Sequence, residues 1–94
     1  MERKQLAKLS RRVKVLQRKL GEIGPIMRGS VVVLGPKKQI RFSFNKNKKT
    51  KMIYLGEKRE ARAIEYSENY KKLKEIVDEM TELNMILVKN DYPK

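Results

Sequence analysis

Apolar residues recur along this chain with two different periods, and the change of period divides it into three stretches. Leu6, Leu9, Val13, Leu16 and Leu20 are spaced three, four, three and four residues apart, the mark of a helix that buries one stripe. At about 100° per residue, Lys4, Lys8, Arg11, Arg18 and Lys19 fall on the opposite side. The spacing predicts a basic amphipathic helix over Arg3 to Leu20, stopped by Gly21 and kept from restarting by Gly24-Pro25. The period then drops to two. Arg28 to Leu34 (RGSVVVL) is β-branched and ends at Gly35-Pro36, and Lys51 to Leu55 (KMIYL) ends at Gly56. Between them Gln39 to Asn45 (QIRFSFN) alternates strictly, with Ile40, Phe42 and Phe44 on one side and Gln39, Arg41, Ser43 and Asn45 on the other. Connections at Gly35 to Lys38 and Lys46 to Thr50 have hairpin length. They predict an antiparallel meander with its aromatic face on the helices and its other face polar.

The helical period returns from Glu57 to Val88, where Tyr66, Tyr70, Leu73, Ile76, Val77, Met80, Leu83 and Leu87 form one stripe at near-heptad spacing. The expected fold is therefore α+β: an N-terminal helix, a three-stranded antiparallel β-meander over residues 28–55, and a long C-terminal helix, all in one small domain. The second helix is longer than the first can cover. The excess stripe predicts a homodimer built on Tyr70, Leu73, Val77, Met80, Leu83, Asn84 and Leu87. Asn84 reads either as a polar residue near a wet helix end or as a contact that sets register.

Charge changes the picture from fold to partner. Lys and Arg number 24 against 11 Asp and Glu, for a net +13. Met1 to Gly56 holds 16 cations and two acids (net +14), while Glu57 to Lys94 holds 8 cations and 9 acids (net −1), which together give that +13. A small domain charged this way repels itself until a polyanion docks and releases its counterions, so nucleic acid is the expected partner. Asn45 to Lys51 concentrates Lys46, Lys48, Lys49 and Lys51 at one hairpin tip, within reach of phosphates, and Lys37 and Lys38 occupy the other turn. Arg41, with Ser43 on the same polar face, suits a base edge. On the first helix, Lys8, Arg11, Arg12 and Arg18 suit backbone tracking. Each feature also has a plain structural explanation: charged helix faces are usually just solvated, and sheet edges collect lysine to discourage aggregation. Both Phe residues alternate inward, which argues against an RNA-binding sheet of the stacking type.

Composition excludes several chemistries. Without Cys there is no disulfide framework, and without Cys or His the usual zinc sites and nucleophile–base pairs are missing. The glycines are scattered singly, so no P-loop or dinucleotide fingerprint exists. Glu75, Asp78, Glu79 and Glu82 read as one solvated stripe on the far face of the second helix, screened by Lys71, Lys72 and Lys74, and not as a metal or acid–base site. No enzymatic activity, cofactor, metal or small-molecule substrate is expected. The longest apolar run, Val31 to Leu34, is far short of a membrane span. The N-terminus lacks the apolar core of a signal peptide, and the first helix lacks the Trp or Phe of a membrane-surface helix, which together predict a cytoplasmic protein. Abundant Lys and Glu without Cys or His is a balance common in heat-adapted proteins.

Two resemblances point the same way. Strands from Arg28-Gly29-Ser30 onward, followed by a long helix bearing Glu68-Asn69-Tyr70-Lys71-Lys72-Leu73 and ending near Leu83-Asn84, resemble a family of small uncharacterised proteins of bacterial and archaeal mobile elements. Many members carry a Cys-rich, His-containing stretch between the first strands. Gly35-Pro36-Lys37-Lys38 stands there in this chain, so no metal role carries over. The three strands, the last ending in Leu55-Gly56, and the following helix are also similar to the arm-type DNA-binding domain of phage tyrosine integrases, whose sheet lies in the major groove. That resemblance implies base-edge roles for Arg41, Ser43 and Lys51, and backbone roles for Lys46, Lys48 and Lys49. The integrase catalytic domain has no counterpart here.

Taken together, the expected function is that of a dimeric duplex-DNA-binding regulator or architectural factor of a virus, plasmid or transposon. The alternatives are an RNA-binding or ribosome-associated protein, and an adaptor using the acidic second helix.

Overall fold

The strict alternation of Gln39 to Asn45 becomes the central strand of a three-stranded sheet. In the computed structural model, which describes residues 1–93, the elements in chain order are α1 (Arg3–Glu22), β1 (Ser30–Leu34), β2 (Gln39–Lys46), β3 (Lys49–Tyr54) and α2 (Glu57–Lys89). Both strand pairings are antiparallel and the order is β1-β2-β3. This is the helix, meander and long helix that the two periods predict. The chain divides into two compact units: Met1–Ile23 with the chain from Lys72 onward, and Gly24–Lys71. α2 contributes to both.

In the unit Gly24–Lys71, Ile40, Phe42, Leu55 and Ala63 are buried together, with Met27, Val31 and Phe44 packed around them. Each large side chain taken out of water here contributes roughly 1.5–3 kcal/mol. The segment leading into β1 is tied to α2 by three hydrogen bonds. The Met27 N–H donates to the Tyr66 carbonyl (3.1 Å), Asn69 Nδ2 to the Pro25 carbonyl (3.0 Å) and Ser67 Oγ to the Gly29 carbonyl (2.5 Å). Asn69 and the buried Ser67 thus have structural roles. Gly29 is required by close approach, because a Cβ there would lie 2.4 Å from the Ser43 carbonyl oxygen and 2.6 Å from the Phe42 ring.

The second hairpin is tighter than expected. Lys46 pairs with Lys49, so the loop is only Asn47-Lys48, and both residues have positive φ (54° and 64°) as a type I′ turn requires. The five-residue loop Lys46 to Thr50 is therefore corrected to a two-residue turn, and Lys49 and Thr50 belong to β3. Asn is favoured at the first position, but Lys48 stands where glycine is usual.

In the other unit, the Arg12 guanidinium grips the Glu79 carboxylate through Nε (2.8 Å) and Nη2 (3.2 Å), and Arg3 lies 6.0 Å from the centre of the Tyr92 ring. These contacts set α1 antiparallel to the C-terminal part of α2. Leu6 and Leu16 are buried, and Leu9, Val13 and Leu20 are half-buried, as the stripe predicts. Gly21 does not end the helix. It stays helical, and α1 stops after Glu22, where Ile23 turns extended ahead of Gly24-Pro25. At the far end of α2, Asp91 (φ 52°) takes the left-handed position. The Tyr92 N–H donates to the Leu87 carbonyl (2.9 Å) and the Asp91 N–H to the Val88 carbonyl (3.0 Å), the Schellman pattern.

Of the residues expected at a dimer interface, Leu87 is already buried in the single chain, and Tyr70, Leu73, Met80 and Leu83 are half-buried; only Val77 and Asn84 are exposed. Most of the stripe is thus at least partly covered within the chain.

Candidate nucleic-acid interface

Alternation on β2 gives the sheet two unlike faces. Opposite residues in an antiparallel pair share a face, so the register places Ser30, Val32 and Leu34 of β1, Gln39, Arg41, Ser43 and Asn45 of β2, and Thr50, Met52 and Tyr54 of β3 together. This outer face is turned away from the core of Ile40, Phe42 and Ala63. Its rows run Ser30–Ser43–Met52 and Val32–Arg41–Tyr54. Arg41 is half-buried between Val32 and Tyr54, and its Nη2 donates to Gln39 Oε1 at 2.9 Å, which holds the guanidinium along the strand. Arg41 and Ser43 therefore share the face assigned to them.

Lys51 does not join them. It pairs with Phe44, and Lys46 pairs with Lys49, so all three lysines stand on the helix side of the sheet. The grouping of Lys51 with Arg41 and Ser43 is corrected by the tight turn, because a two-residue loop fixes the parity of every position in β3. Lys46 and Lys49 face each other directly, a like-charge pair that destabilises the hairpin tip unless an anion lies nearby.

The outer face is also less polar than expected. Tyr54 is 61% exposed on it, with Met52 and Leu34 also exposed. Sequence reasoning placed both Phe residues correctly and overlooked Tyr54, although extending the β2 alternation across a two-residue turn finds it. A free ring beside an arginine is a surface on which a base can stack.

Two clefts lie at the ends of this face. The one at the β2–β3 hairpin, about 570 Å³, is lined by Arg28, Gly29, Ser30, Val32, Ser43, Phe44, Asn45, Asn47 and Lys48. The other, about 290 Å³, is lined by Leu34, Gly35, Pro36, Lys37, Gln39 and Arg41, with Lys38 in the same turn. Arg28 lines the hairpin cleft and was not singled out by sequence reasoning. Its Nη2 reaches the Asn45 carbonyl (3.1 Å), so it spans from the entry of β1 toward the hairpin.

On α1, Lys8, Arg11 and Arg18 are exposed, whereas Arg12 is engaged with Glu79. The hydrogen bond from Arg12 holds the Glu79 carboxyl below its ordinary range, and Glu79 in turn raises Arg12. Glu79 therefore leaves the solvated stripe expected on the far face; Glu75, Asp78 and Glu82 remain exposed. Among the described residues Arg12–Glu79 is the only ion pair, and no group of three carboxylates is placed to hold a metal. No described helix is long and apolar enough to cross a membrane. No protein-family model, curated protein or solved structure matches this chain.

Proposed function

We propose that this chain is a non-catalytic nucleic-acid-binding protein that uses the outer face of its sheet, with duplex DNA as the target and regulation or DNA architecture as the role. One observation carries the reading. No acid occurs between Glu22 and Glu57, and within that stretch Arg28, Lys37, Lys38, Arg41 and Lys48, on the outer face or in its turns and flanks, lack a carboxylate partner among the described residues. A sheet so charged, with one face uncovered, lowers its own repulsion by taking up phosphates. Arg41 and Ser43 then meet base edges, and the turn lysines meet the backbone.

Tyr54 favours one alternative, single-stranded nucleic acid, because an exposed ring beside Arg41 can stack an unpaired base. Fluorescence anisotropy on matched duplex DNA, single-stranded DNA and duplex RNA across a salt series decides between them. The expected result is tight, salt-steep binding that favours duplex DNA. Preference for the single strand transfers the reading to stacking on Tyr54. Equal affinity for all three, or preference for duplex RNA, rejects the sheet-in-groove reading.

A further inference from the structure

The cleft at the hairpin end of the outer face has a chemistry of its own. Every polar side chain that lines it is a hydrogen-bond donor, and no carboxylate is among them. Arg28 uses one contact to the Asn45 carbonyl, which leaves most of the guanidinium's donors free. Thr50 Oγ1 donates to Asn45 Oδ1 (3.2 Å), a contact that leaves the Asn45 amide N–H groups as donors. Ser30 and Ser43 face each other across β1 and β2 and add two hydroxyls. Val32, on the same face, supplies an apolar wall. At about 570 Å³ the cleft is larger than a lone anion needs and has room for a sugar with its phosphate.

Lys48 strengthens the case. At φ 64° it occupies a left-handed position that a lysine adopts at a cost and a glycine adopts freely. What Lys48 offers in return is a cation at the rim of this cleft.

We propose that this cleft is a seat for one phosphodiester of a nucleic-acid backbone, with Arg28 and Lys48 on the phosphate oxygens, Ser30, Ser43 and Asn45 as further donors, and Val32 against the sugar. The inference rests on the nucleic-acid reading and deepens it by fixing where the backbone is held. Strand rise of about 3.3 Å per residue puts Arg41 two positions, or roughly 7 Å, from Ser43, close to the spacing between a phosphate and the next base. A strand seated here presents its next base to Arg41 and Tyr54.

The probe is thymidylyl-thymidine, which contains a single phosphodiester, and its uncharged methylphosphonate analogue. Each is titrated into the full chain while backbone amide shifts are followed by NMR. The expected result is that the charged dinucleotide moves the amides of Gly29, Ser30, Ser43, Asn47 and Lys48 and that the analogue does not. R28Q should weaken the response by about tenfold or more, as loss of a charge-assisted contact does. K48G should weaken it as well while raising the melting temperature, so its loss of binding cannot be ascribed to unfolding. Shifts spread evenly over Lys37, Lys38 and the α1 cations, an equal response to the analogue, or no response at all would overturn the seat. The anisotropy series reads the broader proposal separately. Polynucleotide binding without the localised shifts rejects the seat alone, and localised shifts without polynucleotide binding reject the broader function alone.

Discussion

The two faces of the sheet come from the same alternating strand and have opposite surroundings. On the helix side Ile40 and Phe42 are buried with Leu55 and Ala63, and these contacts hold the unit together. On the outer side Arg41 and Ser43 are half-buried among neighbours that include the exposed Met52 and Tyr54, and nothing packs over them. A residue moved from one face to the other would lose its purpose, which is why the parity of each strand matters more here than its exact length. The comparison teaches where to look for function: stability is concentrated where side chains touch carbon, and binding capacity where cations lack a partner.

The strongest way to break the comparison is to remove the centre of the inner face. Phe42→Ala deletes a ring that is 4% exposed and should cost about 3–5 kcal/mol, measured by urea unfolding. In a unit this small that is most or all of the stability. A loss below about 1 kcal/mol would mean that the inner face is not the core.

Next in size is a contrast across the sheet. Arg41→Ala should cost roughly 1–3 kcal/mol on a preferred duplex sequence and little on a random one, because it removes a base-edge contact. Lys51→Ala, on the opposite face, should change either affinity by no more than about 0.5 kcal/mol and should leave no sequence preference behind. Anisotropy on both duplexes reads the pair. Equal losses from the two substitutions would mean that the contact is not confined to the outer face.

Much of this was legible beforehand, and the exceptions have physical causes. Heptad-like spacing in Leu6 to Leu20 and period-two spacing in Gln39 to Asn45 name their buried faces directly, since side-chain direction follows from backbone geometry alone. The turn at Asn47-Lys48 was harder to read because lysine is an uncommon residue there, and a longer loop hid its parity. That one misplaced boundary concealed Tyr54 on the outer face, while the grouping of Lys51 with Arg41 and Ser43 came from the resemblance to the integrase arm domain and not from register. Arg28 escaped notice for another reason. Its importance comes from a hydrogen bond across to Asn45, 17 residues away, which spacing along the chain does not report. Pairings of that kind, like Arg12 with Glu79, are set by tertiary proximity.

Arg12 offers a smaller test, of whether a cation that has a partner behaves differently from those that do not. Glu79 is held below its ordinary value by the hydrogen bond from Arg12, so it stays ionised to lower pH in the folded chain than in the unfolded one. The pair's contribution to stability is therefore complete above the unfolded glutamate value and is lost as pH falls through the depressed folded value. An NMR titration of the Glu79 carboxyl carbon should show a midpoint below the ordinary glutamate value in the native chain and a return to it in R12Q. An ordinary midpoint in the native chain would mean that the ion pair does not persist in solution and that Arg12 is as free for phosphate as Arg11.

The smallest expected effect separates cost from use most cleanly. Asp91 and Lys48 both hold left-handed backbone without being glycine, at φ 52° and 64°. Asp91 closes the Schellman turn after α2 in one unit, while Lys48 stands at the hairpin of the other, on the rim of the outer-face cleft. Replacing either by glycine relieves the Cβ crowding of the left-handed region at the expense of a more flexible unfolded chain, for a net gain of about 0.5–1 kcal/mol. Thermal unfolding should therefore rise by a few degrees in both variants. Binding should part them, because Asp91→Gly removes nothing from the contact face and Lys48→Gly removes a phosphate partner. If both variants gain stability and only Lys48→Gly loses affinity, the left-handed lysine is retained for what it touches. If Lys48→Gly keeps full affinity and its salt slope, the hairpin lysine is a matter of sheet-edge solubility, and the outer face must be defended on Arg28 and Arg41 alone.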